Sequence, residues 1–315
     1  MAHHHHHKHD HSATHDHGAP NNQGRIFIFT ILLNVAFVVL EFAYGFIANS
    51  TALMADAGHN ASDVLGLLLA WGAVMLARKQ PNQRYTYGLR STSILAALAN
   101  AALLLVASGA IALEAIQRFS QPPTVASLTV SIVAAVGIVI NGLSAWLLRS
   151  GSKEDLNVRG AYLHMLADTA ISLAVVVVGL AMFHSGWYWL DPSISLAIVL
   201  VIVIGTWDLL RDSLRLVLSA VPEQINASAI DMYLRQLDGV TDIHDLHIWG
   251  LSTTETALTA HLVMPCGCPG DDFMDEVTQT LKKQYSIQHS TLQIEQGTTI
   301  HACSLTATEP QRHYR

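Results

Sequence analysis

The chain has 315 residues, 51% of them hydrophobic and only 13% charged, with a formal net charge of -7 that leaves eighteen histidines uncounted. A water-soluble protein carries roughly a quarter charged residues, so much of this surface must meet a solvent other than water. Three cysteines are too few for a disulfide framework, and the first twenty residues lack the apolar stretch of a secretory signal.

The chain opens on a histidine-rich tract comprising 3–7, His9, His11, His15 and His17. Such composition forms no core and reads as a disordered cytoplasmic tail over 1–24 that gathers metal, with an appended purification tag as the bland alternative. Lys8-His9-Asp10-His11 and His15-Asp16-His17 are unlike a made tag.

A bilayer-crossing helix needs about 20 mainly apolar residues. Six stretches satisfy this, at about 26–48, 52–77, 93–117, 125–148, 160–183 and 191–218, within a membrane domain spanning 25–219. Cationic residues crowd the links after spans two and four (Arg78, Lys79, Arg84 and Arg90; Arg149, Lys153 and Arg159) and the end of span six (Arg211 and Arg215). The links after spans one and five have none, so both termini are predicted to be cytoplasmic.

From Pro222 the composition becomes that of a soluble domain, assigned to 220–297. Ile230, Leu234 and Leu237 mark a short amphipathic helix, and Phe273, Val277 and Leu281 a second. The segments 240–249, 256–264 and 289–295 read as strands. The predicted fold is therefore an α-helical membrane protein of six transmembrane helices plus a C-terminal cytoplasmic ferredoxin-like αββαβ domain, two helices on a three-stranded sheet. The tail over 298–315 has no clear pattern.

Ionisable residues at bilayer depth are functional candidates, because a carboxylate there costs roughly 2.5–3.5 kcal/mol on insertion scales. His59 and Asp63 on span two are four apart, hence on one face, and His164 and Asp168 on span five repeat the spacing. A lone buried histidine is usually a hydrogen-bonded structural residue. Two matching pairs on separate spans instead offer an N₂O₂ set that closes a tetrahedron, which suits Zn²⁺. Metal binding would then require neutral imidazoles and ionised carboxylates, which couples it to protons. Asp56 lies on a similar face and reads either as path-lining or as a helix-start residue. Glu41, Glu114, Asn100 and Asn141 read as interhelical hydrogen-bond partners. Arg90 is expected to pair with Asp208 or Asp212, and His184 to be interfacial. Cys266-Gly267-Cys268 between two prolines, and Cys303 beside His301, read as loop and tail cysteines.

Several segments resemble the cation diffusion facilitator family, particularly its bacterial zinc-exporting branch. They are Ser50-Thr51-Ala52-Leu53-Met54-Ala55-Asp56-Ala57-Gly58-His59 through Asp63; Tyr85-Thr86-Tyr87-Gly88; and Leu156-Asn157-Val158-Arg159-Gly160-Ala161-Tyr162 leading to His164 and Asp168. In the soluble part they are Ile243-His244-Asp245-Leu246-His247-Ile248-Trp249 and His289-Ser290-Thr291-Leu292-Gln293-Ile294-Glu295. The resemblance implies a homodimeric Zn²⁺/H⁺ antiporter with His59, Asp63, His164 and Asp168 as transport ligands, while the compact, short-loop form suggests a bacterial inner membrane. It also implies that histidine rather than aspartate at position 59 favours zinc over cadmium. His244, His261 and Glu295 match the ligand positions of a metal cluster in the family's soluble domain.

Two departures stand out. The link 78–84 has no histidine, acid or cysteine, so a second metal site found there in some members is expected to be missing. In a regular strand His244 and His247 point to opposite faces, and His289 is about 20 Å along a strand from Glu295, so neither His247 nor His289 is expected to join the cluster. No organic cofactor is expected, zinc being substrate and regulatory ion. The partners expected are a second copy, protons and the bilayer, with no nucleic acid. An intramembrane metalloprotease would need a His-Glu-x-x-His type motif, which does not occur. A zinc sensor or scaffold that binds without transporting, or a passive channel, is the competing reading.

Overall fold

The computed structural model describes residues 20–149, 156–267 and 269–298. The histidine tract, Lys153, Cys268, His301 and Cys303 lie outside the described residues. Six long helices come first: α1 (Pro20–Ile47), α2 (Thr51–Ala77), α3 (Thr92–Ser120), α4 (Ser127–Leu148), α5 (Leu156–Ser185) and α6 (Leu190–Val217). Five of these are long and apolar enough to cross a bilayer, whereas the described apolar stretch of α1, Leu32–Ile47, is shorter. Val106 on α3 and Val139 on α4 remain 72% and 67% exposed. Apolar side chains turned outward in this way fit a hydrocarbon surround rather than water.

Small polar side chains lie among the apolar ones inside the bundle: Ser108, Ser131, Asn141, Ser144 and Ser172 are all buried. Small side chains let helix backbones approach closely where lipid offers no hydrophobic drive to association. At Gly179 on α5 an added Cβ would sit 2.4 Å from Ser131 Oγ of α4, so this contact admits only glycine. The N-terminus of α2 is capped from a distance by Asp191 of α6. Its carboxylate accepts from Thr51 N and Thr51 Oγ1, both at 2.7 Å, and from Ser50 Oγ. Backbone N–H groups left over at a helix start need such an acceptor, most of all when buried.

The soluble part follows as α7 (Ala227–Arg235), β1 (Asp242–Gly250), β2 (Thr256–Val263), α8 (Asp271–Tyr285) and β3 (His289–Glu295). β2 is central, antiparallel to β1 and parallel to β3, so the predicted αββαβ order holds. Asn226 caps α7 by accepting from Ala229 N at 3.0 Å. Acidic Asp271 and Asp272 at the start of α8 and basic Lys282 and Lys283 at its end complement the helix dipole. Ile230 and Leu234 of α7 and Val277 and Leu281 of α8 pack on Ile243, Leu258 and Leu262 of the sheet.

Contacts near the start of α3 tie this domain to the bundle. Arg90 Nη1 lies 2.7 Å from Glu255 Oε2, Ser91 Oγ donates to Leu251 O, and Thr253 N donates to Ser93 Oγ. The expected pairing of Arg90 with Asp208 or Asp212 is thus replaced: those aspartates face Arg211 and Arg215 instead. The strand turn carrying Glu255 reaches Arg90, a proximity that sequence separation conceals. Glu114, expected to bridge helices, pairs with Arg118 four residues on in its own helix.

Candidate metal centre

α2 and α5 are antiparallel neighbours, so an i, i+4 pair on each presents four ligands to one point. His164 Nε2 is 3.1 Å from Asp63 Oδ2 and 3.6 Å from Asp168 Oδ2. His59 Nε2 is 3.5 Å from Asp168 Oδ1 and 3.8 Å from Asp63 Oδ2. One ligand atom from each of the four lies within 4.8 Å of all the others. A tetrahedron with zinc–ligand bonds of 2.0–2.1 Å has edges of about 3.3 Å, inside the range of these four separations. Asp63 Oδ2 and Asp168 Oδ1 accept no hydrogen bond of ordinary geometry and so keep lone pairs for a cation.

The centre is closed at one end and open at the other. Asp168 and His59 have side chains 1% and 18% exposed, whereas Asp63 and His164 reach 33% and 37%. The two more exposed ligands lie towards the Ala77 end of α2, the end of the bundle near which the soluble domain sits.

Away from the open end, Asp56 and Glu41 are wholly buried. Asp56 accepts from Ser172 Oγ at 3.1 Å and Glu41 from Asn60 Nδ2 at 3.1 Å. The sequence reading of Asp56 left a helix-start role open; instead it packs one turn from His59, inside the bundle. Asn100 packs against Gly66 of α2, and the ring of His184 lies 5.5 Å from that of Phe183.

A second cluster lies on the sheet. His244 pairs directly with His261 across β1 and β2, and Glu295 lies beside Val263, two residues along β2 and so on the same face. His261 Nδ1 is 2.9 Å from Glu295 Oε1 and His244 Nε2 is 3.4 Å from Glu295 Oε2. The ring centroids of the two histidines are 5.0 Å apart.

Here the reading of β1 as a regular strand needs correction. The register shifts between His244 and His247, which pair with His261 and Thr259, two residues apart on β2. This bulge carries both histidines to one face. Asp245 takes the positive φ of 53°, tolerated best by Asp, Asn and Gly. From there its carboxylate reaches His247 Nε2 at 3.0 Å and His261 Nε2 at 3.6 Å. Asp245 is therefore a site neighbour missed from sequence; His-Asp inside an otherwise β-rich run was the available signal. His289 stands apart, its ring 5.7 Å from that of Tyr87.

Residues 27–218 match the sequence profile of the cation efflux transmembrane domain, and residues 222–297 that of the cation efflux protein cytoplasmic domain. The chain belongs to the cation efflux family. That membership makes it a secondary transporter of metal cations rather than an enzyme. Among its relatives is a cadmium, cobalt and zinc/H(+)-K(+) antiporter of Bacillus subtilis, 33% identical over 286 residues, covering 89% of this chain and 91% of the relative. The metal cation efflux system protein CzcD of Cupriavidus metallidurans is 33% identical over 284 residues, 90% of each chain. The zinc transporter ZitB of Escherichia coli is 33% identical over 289 residues, 91% of this chain and 92% of its own length. In cation efflux terms, the four-ligand centre lies in the transmembrane domain and the His244–His261–Glu295 cluster in the cytoplasmic one.

Proposed function

We propose that this cation efflux protein exports divalent transition metal ions, Zn²⁺ first, from the cytoplasm in exchange for protons, by alternating access around His59, Asp63, His164 and Asp168. The observation that carries this reading is the convergence of two imidazoles and two carboxylates on one point at zinc-like separations. Relatives named as zinc transporters and as a metal/proton antiporter support it.

Charge balance supplies the coupling. Two carboxylates with one Zn²⁺ are neutral, and so are two carboxylates with two imidazolium ions. Exchange of one metal ion for two protons thus leaves the charge of the centre unchanged at bilayer depth, where any net charge is expensive. Binding requires neutral imidazole and ionised carboxylate, so protons arriving from an acidic exterior displace the metal. With both termini cytoplasmic, the more exposed ligands Asp63 and His164 face the cytoplasm, the side from which an exporter loads. The protein functions as a homodimer in a bacterial inner membrane, with the cytoplasmic domain contributing to the dimer contact. His244, His261 and Glu295 form a second, regulatory zinc site on that domain, with Asp245 beside it.

The test is zinc flux in proteoliposomes under an imposed pH gradient, comparing the parent with Asp63→Ala and Asp168→Ala. Gradient-dependent flux in the parent and its loss in both variants is expected. Flux indifferent to the gradient would mean a channel, and zinc binding without flux a sensor or scaffold. Undiminished flux in both variants would remove the assigned centre.

A further inference from the structure

The transport reading uses four of the six ionisable side chains gathered in the middle of the bundle. The other two, Glu41 of α1 and Asp56 of α2, are both wholly buried carboxyls. They face one another: Asp56 and Asn60 are four apart on one face of α2, and Glu41 accepts from Asn60. Each has one donor from elsewhere, Asn60 Nδ2 to Glu41 and Ser172 Oγ to Asp56. Glu41 Oε1 and Asp56 Oδ1 have none. Among the described residues, the charged or titratable groups beside the pair are His59 and Asp168, with no lysine or arginine.

Two facing carboxylates, each with an unsatisfied oxygen and without a cation, repel one another and leave two acceptors bare in a medium of low dielectric. One proton between them removes both faults: it turns one oxygen into a donor to the other and halves the charge. From this geometry we infer that Glu41 and Asp56 form an intramembrane proton-binding site, distinct from the metal ligands, whose occupancy opposes that of the metal centre. The pair stands about 4.5 Å along α2 from His59, three residues at 1.5 Å each. Compared with the empty centre and its two bare carboxylates, a bound divalent ion lowers the negative potential at the pair, so the shared proton passes to water; departure of the metal lets one proton return to the same two oxygens. No bond other than O–H forms or breaks, and by linkage the proton weakens metal binding as much as the metal weakens proton binding. The inference rests on the proposed proton-coupled transport for its purpose, but the site itself can be tested alone.

Infrared difference spectra of the membrane-reconstituted protein, zinc-free minus zinc-loaded, test it directly. The carbonyl stretch of a protonated carboxylic acid is expected in the parent, to vanish on zinc loading, and to shift in frequency in both Glu41→Gln and Asp56→Asn, each of which leaves one buried carboxyl without its partner. Either variant changes the band, so one that folds poorly leaves the other to decide. Absence of the band in the parent, or an unshifted zinc-sensitive band in both variants, would overturn the site. In proteoliposomes both variants should retain zinc-for-zinc exchange at equal pH and lose acceleration by the gradient. Loss of zinc exchange together with zinc binding would instead assign the pair to the metal centre and overturn the inference. A parent that carries the band but moves no zinc would refute the transport reading while leaving the proton site standing.

Discussion

Replacing Asp168 by asparagine tests the four-ligand centre most sharply, because this carboxylate is the least exposed ligand, at 1%. The substitution keeps shape and removes one negative donor. Four-ligand zinc sites of the zinc-finger kind bind with an apparent free energy of about 10–16 kcal/mol, so an even share for each ligand is about 2.5–4 kcal/mol. At 1.36 kcal/mol per factor of ten, that corresponds to a loss in zinc affinity of about 10²–10³-fold. Asp63→Asn should cost less, because Asp63 is 33% exposed and water can take the vacated position. Competition with a chromophoric chelator, on protein checked by size exclusion to be folded, measures both. X-ray absorption of zinc-loaded parent should give four nitrogen or oxygen neighbours at about 2.0–2.1 Å and no sulfur. An affinity loss below about tenfold in both variants would refute the assigned centre, since a residue bound to the metal counts for more than its hydrogen-bonded neighbours, whose loss alone costs about 10–100-fold.

Zinc affinity should fall as pH falls, because protons compete for imidazole nitrogens and carboxylate oxygens; the limiting slope is about tenfold per pH unit for each proton displaced, read by isothermal titration in several buffers. Asp191→Ala strips three buried donors of their acceptor and should destabilise the bundle by about 3–5 kcal/mol, seen as a lower melting temperature in detergent. Arg90→Ala should change stability by less than about 1 kcal/mol, since Arg90 and Glu255 are 40% and 35% exposed. His261→Ala should remove one zinc ion per chain from the cytoplasmic domain while flux persists, measured by metal analysis and vesicle transport.

The parts legible in the sequence are those governed by short-range periodicity. The i, i+4 spacing of His59 with Asp63 and of His164 with Asp168 survives into space because a helix converts sequence distance into face position without reference to anything else. The limits of spans two to six were legible for the same reason, within a few residues at each end. What stayed hidden depends on contacts far apart in the chain. Asp191 caps a helix that starts 140 residues earlier, and Arg90 meets Glu255 165 residues later. The β1 bulge was hidden differently: a single residue in a left-handed conformation reverses the face of everything after it, so period-two arithmetic placed His247 on the wrong side.

The arrangement of helices explains why a metal ion can be both held and released. α5 packs chiefly on α4, and α2 chiefly on α3 and α1, whereas α2 and α5 meet over only a short stretch. The four ligands straddle that seam, two from each side, so the centre has full coordination only while the two groups of helices hold one relative position. Close-packed contacts such as Gly179 on Ser131 make α4 and α5 move together rather than deform, since there is no space to absorb a local shift. A small displacement of one group against the other therefore changes both the His59–Asp168 and the His164–Asp63 separation at once. In the proposed exchange, His164 and Asp63, 3.1 Å apart, and His59 and Asp168, 3.5 Å apart, would pair across the same seam once the imidazoles took up protons. The seam is thus bridged with either cargo, by coordination in one case and by ion pairs in the other. It is weakest when neither is bound, when two uncompensated carboxylates remain at bilayer depth. In the proposed exchange, that cost disfavours the empty centre and would tie the return of the transporter to the uptake of protons.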